Sequence, residues 1–196
     1  MTRTGPIVVA VPVILAGVAI GHAVGGAPPG GPAVVAVEGP GTLTATGFVV
    51  APNRVVTVAH AVGGRVTVRG DDGIARRAAV LRRDRALDLA LLRVPGVRPA
   101  APAPGATRVV VRRDGARMAV PAAIGRRVDA RVRTAAGGVI GRRPALELRA
   151  GVEPGDSGAP VVADGRIAGV VFAVSRRRAG VTYAVDAAAL SRLLGP

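Results

Sequence analysis

Ser157 lies between two glycines in Gly155-Asp156-Ser157-Gly158-Ala159-Pro160, followed by the apolar pair Val161-Val162. The glycines let the backbone turn tightly and let another group come close. A serine at such a bend, with backbone N–H groups beside it, is placed to attack an electron-poor carbonyl. The same six residues are also ordinary turn formers. A hydroxyl at its normal pKa is a weak nucleophile and requires an adjacent base, so the question passes to the rest of the chain.

The chain holds two histidines, and His60 is the one outside the N-terminal apolar segment. It closes the apolar run Val55-Val56-Thr57-Val58-Ala59-His60, just ahead of Gly63-Gly64. A lone histidine there also fits a satisfied core residue. Asp88 is embedded in Ala86-Leu87-Asp88-Leu89-Ala90-Leu91-Leu92, where a carboxylate is costly unless it is hydrogen-bonded or paired. Accepting from a histidine N–H meets that need, and a place at the surface end of a strand is the other reading. Taken together, a base, an orienting acid and a nucleophile occur in the order His60, Asp88, Ser157, 28 and 69 residues apart (88 − 60 and 157 − 88).

Composition narrows the alternatives. Cysteine is absent from the 196 residues, which excludes disulfide staples, a thiol nucleophile and a Cys-ligated metal. Two histidines make a His-rich metal site a poor fit, and no metal or cofactor is expected. The net charge of +15 is carried by arginine alone, since there is no lysine. Such a charge suits an anionic partner. The arginines, however, come as scattered short clusters, with no aromatic platform for bases, and the composition matches the codon bias of a GC-rich coding sequence. No nucleic-acid partner is expected.

The elements that must position these residues are short strands. Aromatics are 2% of a chain with 28 Gly and 16 Pro, so Val, Ala, Leu and Ile build the core between frequent turns. A basic start leads into an uncharged run, and 1–24 reads as a secretory signal or, counting the 18 residues from Ile7 to Val24, a membrane anchor. The Gly/Pro-rich 25–32 reads as a tether. Strands are expected at 33–37, 41–50, 55–58, 65–69, 74–81 and 89–94. The Pro-rich 99–106 reads as a linker between 33–98 and 107–196. A second series follows at 107–112, 118–124, 128–133, 145–149, 159–162, 167–174 and 181–185. Asp186 then caps a short helix, 187–194, which Gly195 ends. The fold class is all-β: two packed β units with a short C-terminal helix.

Each candidate residue lies in a local context that resembles the chymotrypsin-like (trypsin-fold) serine proteases. Thr57-Val58-Ala59-His60 is similar to their Thr-Ala-Ala-His, Asp88-Leu89-Ala90-Leu91 to Asp-Ile-Ala-Leu, and Gly155–Pro160 to Gly-Asp-Ser-Gly-Gly-Pro. Thr46-Gly47-Phe48-Val49-Val50 is similar to the Gly-Ser-Gly-Phe-Ile-Ile strand ahead of the histidine. The matching pieces run from about 44 to 185, in the chain order that separates this family from subtilisins and α/β-hydrolases. Without cysteines, and with an export segment, the chain looks nearest to bacterial envelope proteases, the HtrA-like and MarP-like groups. No PDZ-like stretch is read after the last strand.

The resemblance implies two six-stranded antiparallel β-barrels with the site in the cleft between them. It further implies a serine endopeptidase acting on protein or peptide substrates through an acyl-enzyme: Ser157 as nucleophile, His60 as general base and acid, Asp88 holding the imidazole, and the N–H groups of Gly155 and Ser157 as oxyanion hole. Its substrate pocket falls on Gly151, Val152, Phe172, Ala173, Val174 and Val181, with Gly180 and Thr182 alongside. No acid lies at the pocket base, so cleavage after a small or medium apolar residue is expected. Two departures stand out. Phe172 replaces a serine that helps hold the aspartate in many members, and Asp156 lacks an obvious N-terminal amine partner, a role expected to fall to an arginine of the second half. The alternatives are an inactive or switchable protease fold that binds or senses peptides in the cell envelope, and a basic exported domain on an anionic polymer. The protein is expected to be exported, either secreted or anchored on the outer side of the membrane through residues 7–24.

Overall fold

The computed structural model describes residues 8–10, 31–41, 44–133, 139–175 and 177–195. Of the expected export segment it describes Val8–Ala10 alone, and of the tether Gly31 and Pro32; the remainder of both lies outside the described residues. Val8–Ala10 forms a three-residue strand, β1, parallel to Arg131–Arg133. Among the described residues no helix is long and apolar enough to cross a membrane.

Six antiparallel strands build the first half: β2 (Val34–Glu38), β3 (Thr44–Ala51), β4 (Arg54–Val58), β5 (Val66–Arg69), β6 (Ala75–Asp84) and β7 (Leu89–Arg93). They close in the order β2-β3-β4-β7-β6-β5. The β-branched runs Val34-Val35, Val55-Val56 and Val66/Val68, with Leu89 and Leu92, fill the interior. Gly47 is required there, because a Cβ would lie 2.8 Å from Val55 Cγ1 and 3.0 Å from Val37 Cγ2. Asn53 makes the two-residue β3–β4 turn at φ 61°, a conformation that asparagine tolerates better than most residues.

The second half contains β8 (Arg108–Arg113), β9 (Ala116–Arg133), β10 (Val139–Ala150), β11 (Pro160–Ala163), β12 (Arg166–Val174) and β13 (Val181–Asp186). Their order is β9-β10-β13-β12-β11-β8, and β8 pairs back onto the start of β9, so the pairings return on themselves. The strands expected at 118–124 and 128–133 are one strand. Gly125 marks a bulge within it, opposite the register shift between Leu146 and Leu148, and its glycine admits Glu147 O, 3.2 Å from where a Cβ would sit. The C-terminal helix begins as a 3-10 turn, Ala187–Ala189, with Asp186 Oδ1 accepting from the Ala188 N–H at 3.0 Å. It continues as α1 (Leu190–Leu194), which Gly195 ends at φ 73°. One apolar cluster runs through both halves, from Phe48 and Leu92 to Phe172, Tyr183 and Leu193.

Candidate active site

His60 lies in a single 3-10 turn, Ala59–Ala61, directly after β4, rather than on the strand itself. Asp88 sits between β6 and β7 with φ 59°, a strained left-handed conformation for a residue with a side chain. Three bonds join the two segments. The Ala59 N–H donates to Asp88 O at 2.9 Å, the His60 N–H donates to Asp88 Oδ1 at 2.9 Å, and His60 Nδ1 meets Asp88 Oδ2 at 2.7 Å. Asp88 is 7% exposed, so its carboxylate is spent on His60 rather than on water. This arrangement fixes the ring with Nδ1 inward and Nε2 free, the orientation an imidazole base requires.

Ser157 enters from the β10–β11 loop, and its backbone is fastened to the first half. The Thr46 N–H on β3 donates to Ser157 O at 2.8 Å, and Thr57 Oγ1 on β4 donates to Thr46 O at 2.8 Å. Thr57 is three residues before His60, so the serine loop rests on the strand pair that carries the histidine. Gly158, at φ 90°, is obligatory: a Cβ would lie 1.9 Å from Thr46 O and 2.6 Å from Thr57 Oγ1. Gly155, at φ 98°, faces open space. Neither the Gly155 nor the Ser157 N–H donates to a described backbone carbonyl, and Thr46 Oγ1 donates to Gly155 O at 3.3 Å. No hydrogen bond joins His60 Nε2 to the Ser157 hydroxyl, as is common in empty sites of this kind.

Asp156 is 1% exposed and has a cationic partner within the second half. Arg113, at the end of β8, donates from Nε to Asp156 Oδ1 at 3.1 Å and from Nη2 to Oδ2 at 2.5 Å. The Glu153 N–H also donates to Oδ2, at 2.8 Å. Arg113 further reaches Glu153 Oε1 and Gly151 O, each at 3.0 Å. The carboxylate holds the guanidinium pKa above its ordinary value, against a smaller opposing effect of burial.

Arg143, on β10, is 3% exposed and crosses between the halves. Its Nη1 donates to Leu87 O at 2.9 Å and stands 3.5 Å from Asp88 Oδ2. The guanidinium carbon lies 4.8 Å from the centre of the Phe172 ring. Burial pushes its pKa down, opposed by the charge of Asp88.

The remaining residues expected around a substrate pocket are distributed as follows. Gly151 is exposed, and Val152, Val174 and Val181 are half-buried. Phe172 and Ala173 are buried, and the Phe172 ring lies under the Arg143 guanidinium. Backbone bonds tie the segments together: Ala150 N–H to Gly180 O at 3.0 Å and Ser175 N–H to Val181 O at 2.8 Å. Among the described residues no group of three or more metal-ligating side chains gathers. Arg113 and Arg143 are the site residues that sequence reasoning did not single out. Nothing local separates them from the other arginines, and each is recognised by a carboxylate 43 or 55 positions away (156 − 113 and 143 − 88).

Comparison with known proteins agrees with this architecture. The trypsin-like peptidase domain matches residues 45–170. The serine protease Rv3671c of Mycobacterium tuberculosis strain H37Rv is 37% identical over 147 residues, covering 66% of this chain and 36% of the relative. The chain therefore spans about a third of that relative's length. The active form of the Rv3671c protease superposes with TM-score 0.72 at 28% identity, covering 93% of each chain. An inactive form superposes with TM-score 0.66 at 30% identity, over 83% of this chain and 87% of that one. The MamO protease domain of Magnetospirillum magneticum shares the fold, with TM-score 0.68 at 23% identity over 84% of this chain and 96% of its own. With its order of motifs, its closed first barrel and its histidine–aspartate pair, the chain belongs to the trypsin-like peptidase domain family.

Proposed function

We propose that the chain is a serine endopeptidase in which His60, Asp88 and Ser157 act as a triad. The observation that carries this reading is the doubly bonded His60–Asp88 pair, at 2.7 and 2.9 Å, set against the strand that anchors Ser157. Ser157 Oγ attacks a peptide carbonyl as His60 Nε2 takes its proton. The C–N bond then breaks as the imidazolium returns that proton to the leaving amine, and water hydrolyses the acyl-enzyme by the same route. Asp88 keeps the proton of the resting ring on Nδ1 and stabilises the imidazolium. The uncommitted N–H groups of Gly155 and Ser157 suit the oxyanion, each worth about 3–4 kcal/mol of barrier in such sites.

Arg113 fills the cationic role at Asp156, so the loop that presents both amides needs no freshly cut N-terminal amine. The absence of acid among Gly151, Val152, Val174 and Val181 favours a small or medium apolar residue before the scissile bond. A peptide-library profile with Arg or Lys at that position sinks the specificity assignment. The apolar run at 7–24 supports export, with the folded part secreted or held at the outer membrane face; N-terminal sequencing of the mature protein distinguishes the two.

A fluorophosphonate probe tests the main reading. Covalent labelling that vanishes in Ser157→Ala and falls sharply in His60→Gln is expected. The second reading, a switchable or silent peptide-binding fold, is favoured by the likeness to an inactive form of a relative. Absence of labelling in folded wild type supports it.

A further inference from the structure

We propose that Arg143 is a positioning residue for the triad, taking over from the second half the support of Asp88 that a serine hydroxyl gives in many relatives. This inference rests on the protease reading above. Its basis is a single carboxylate oxygen: Asp88 Oδ2 faces His60 Nδ1 at 2.7 Å on one side and Arg143 Nη1 at 3.5 Å on the other. The same Nη1 donates to Leu87 O at 2.9 Å, one residue ahead of Asp88, so the guanidinium is registered on the strained turn that carries the carboxylate. Phe172, at the serine position, forms the floor: its ring centre lies 4.8 Å from the guanidinium carbon that sits over it. The aromatic substitution that removes the hydroxyl thus supplies the platform for its replacement.

The arrangement is poorly suited to stability alone. Burying an ion pair is expensive, and replacing both partners by apolar residues of similar size is often neutral or stabilising. Arg143 Nε is buried and bonds to none of the described residues, so the guanidinium's polar contacts run through Nη1 to Leu87 O and Asp88.

Charge bookkeeping shows what the residue does. Without Arg143, the buried Asp88 carboxylate would face His60 with no second cation beside it. The guanidinium keeps the carboxylate aimed at Nδ1. Once the imidazolium forms, two cations share one carboxylate, so Arg143 weakens His60 as a base while improving its alignment. The other charged groups near the cluster are Asp84, whose Oδ1 accepts from the Leu87 N–H at 2.9 Å, and Arg83, bonded to Val62 O on the segment after His60.

Arg143→Met and Arg143→Lys, made in the full chain, separate positioning from packing. Arg143→Met should lower kcat about ten- to a hundredfold, with KM changed less than threefold, short of the ~10⁴-fold loss seen when the triad carboxylate itself is neutralised. Arg143→Lys should recover part of it. An NMR titration of the ring signal that vanishes in His60→Gln needs no turnover, and Arg143→Met should move that midpoint upward. An unchanged midpoint in folded Arg143→Met, or a loss that falls on KM with kcat intact, overturns the proposal. If wild type proves inactive, the ring titration still decides whether Arg143 acts on His60 through Asp88.

Discussion

Arg113 grips Asp156 with two nitrogens, Nε on Oδ1 at 3.1 Å and Nη2 on Oδ2 at 2.5 Å, joining the end of β8 to the residue before the candidate nucleophile. The pair decides whether the Gly155–Ser157 loop holds its shape. Arg113→Met leaves a carboxylate that is 1% exposed without its cation. Breaking a buried pair costs about 3–5 kcal/mol, and because part of Arg113 reaches water we expect the lower end, about 3. Urea denaturation should show that loss, and kcat should fall more than KM rises as the amides move. Arg113→Lys should restore stability in part.

Gly158 and Gly155 both have positive φ, yet they should respond differently to alanine. At Gly158 the new Cβ meets backbone, 1.9 Å from Thr46 O, which cannot move without parting β3 from the serine loop. Gly158→Ala is expected to cost about 4 kcal/mol or more, an exceptional loss for one methyl group. At Gly155 the Cβ enters open space, so the cost is backbone strain alone, about 1–2 kcal/mol. Unfolding midpoints of the two variants, side by side, check the difference.

Asp88→Asn should disable the site twice over. The amide presents its N–H or its oxygen to His60 Nδ1 without the charge that stabilises an imidazolium, and kcat should drop about 10⁴-fold. It also leaves Arg143 buried without a counter-ion, which the aspartate-to-asparagine change does not do in relatives lacking such an arginine. A measurable fall in melting temperature should therefore accompany the kinetic loss.

The acid limb of stability should carry a contribution from Glu147. Arg178 holds its carboxyl below the ordinary 4.5 by hydrogen bonds from two nitrogens, at 3.0 and 2.5 Å, against a smaller effect of burial. A carboxyl whose pKa is lower folded than unfolded stabilises the fold above its unfolded value. That contribution is lost as pH falls below about 4.5 and through the folded value. Asp72, held near 2 by Arg76, adds a similar dependence between 3.8 and 2. Melting temperatures of Glu147→Gln and wild type should converge as pH drops below 4.5, and a constant difference would refute the assignment.

The short strands of the first half were legible because Val-rich runs alternate with strong turn formers such as Pro52-Asn53 and Asp71-Asp72-Gly73. His60, Asp88 and Ser157 could be singled out as candidates because each carries its own local context. The long β9 was not legible: Gly125 reads as a break in one dimension and is a bulge when β10 lies across it. Arg113 and Arg143 were invisible for a related reason. Among 27 chemically identical side chains, only the carboxylate each one meets in three dimensions distinguishes it. The need for a cation at Asp156 could be stated from sequence; its identity required the fold.

The seam between the halves has a consequence for the order in which the chain matures. Ser157 O is received by Thr46, Asp88 by Arg143, and Val34 O and Gly70 O by Arg112 on β8. On the triad reading, the imidazole is made early in synthesis and the hydroxyl late. A nascent chain with only its first barrel closed has a base without a nucleophile, and its Asp88 without a guanidinium. On that reading the site is complete only once the second half has folded onto the first.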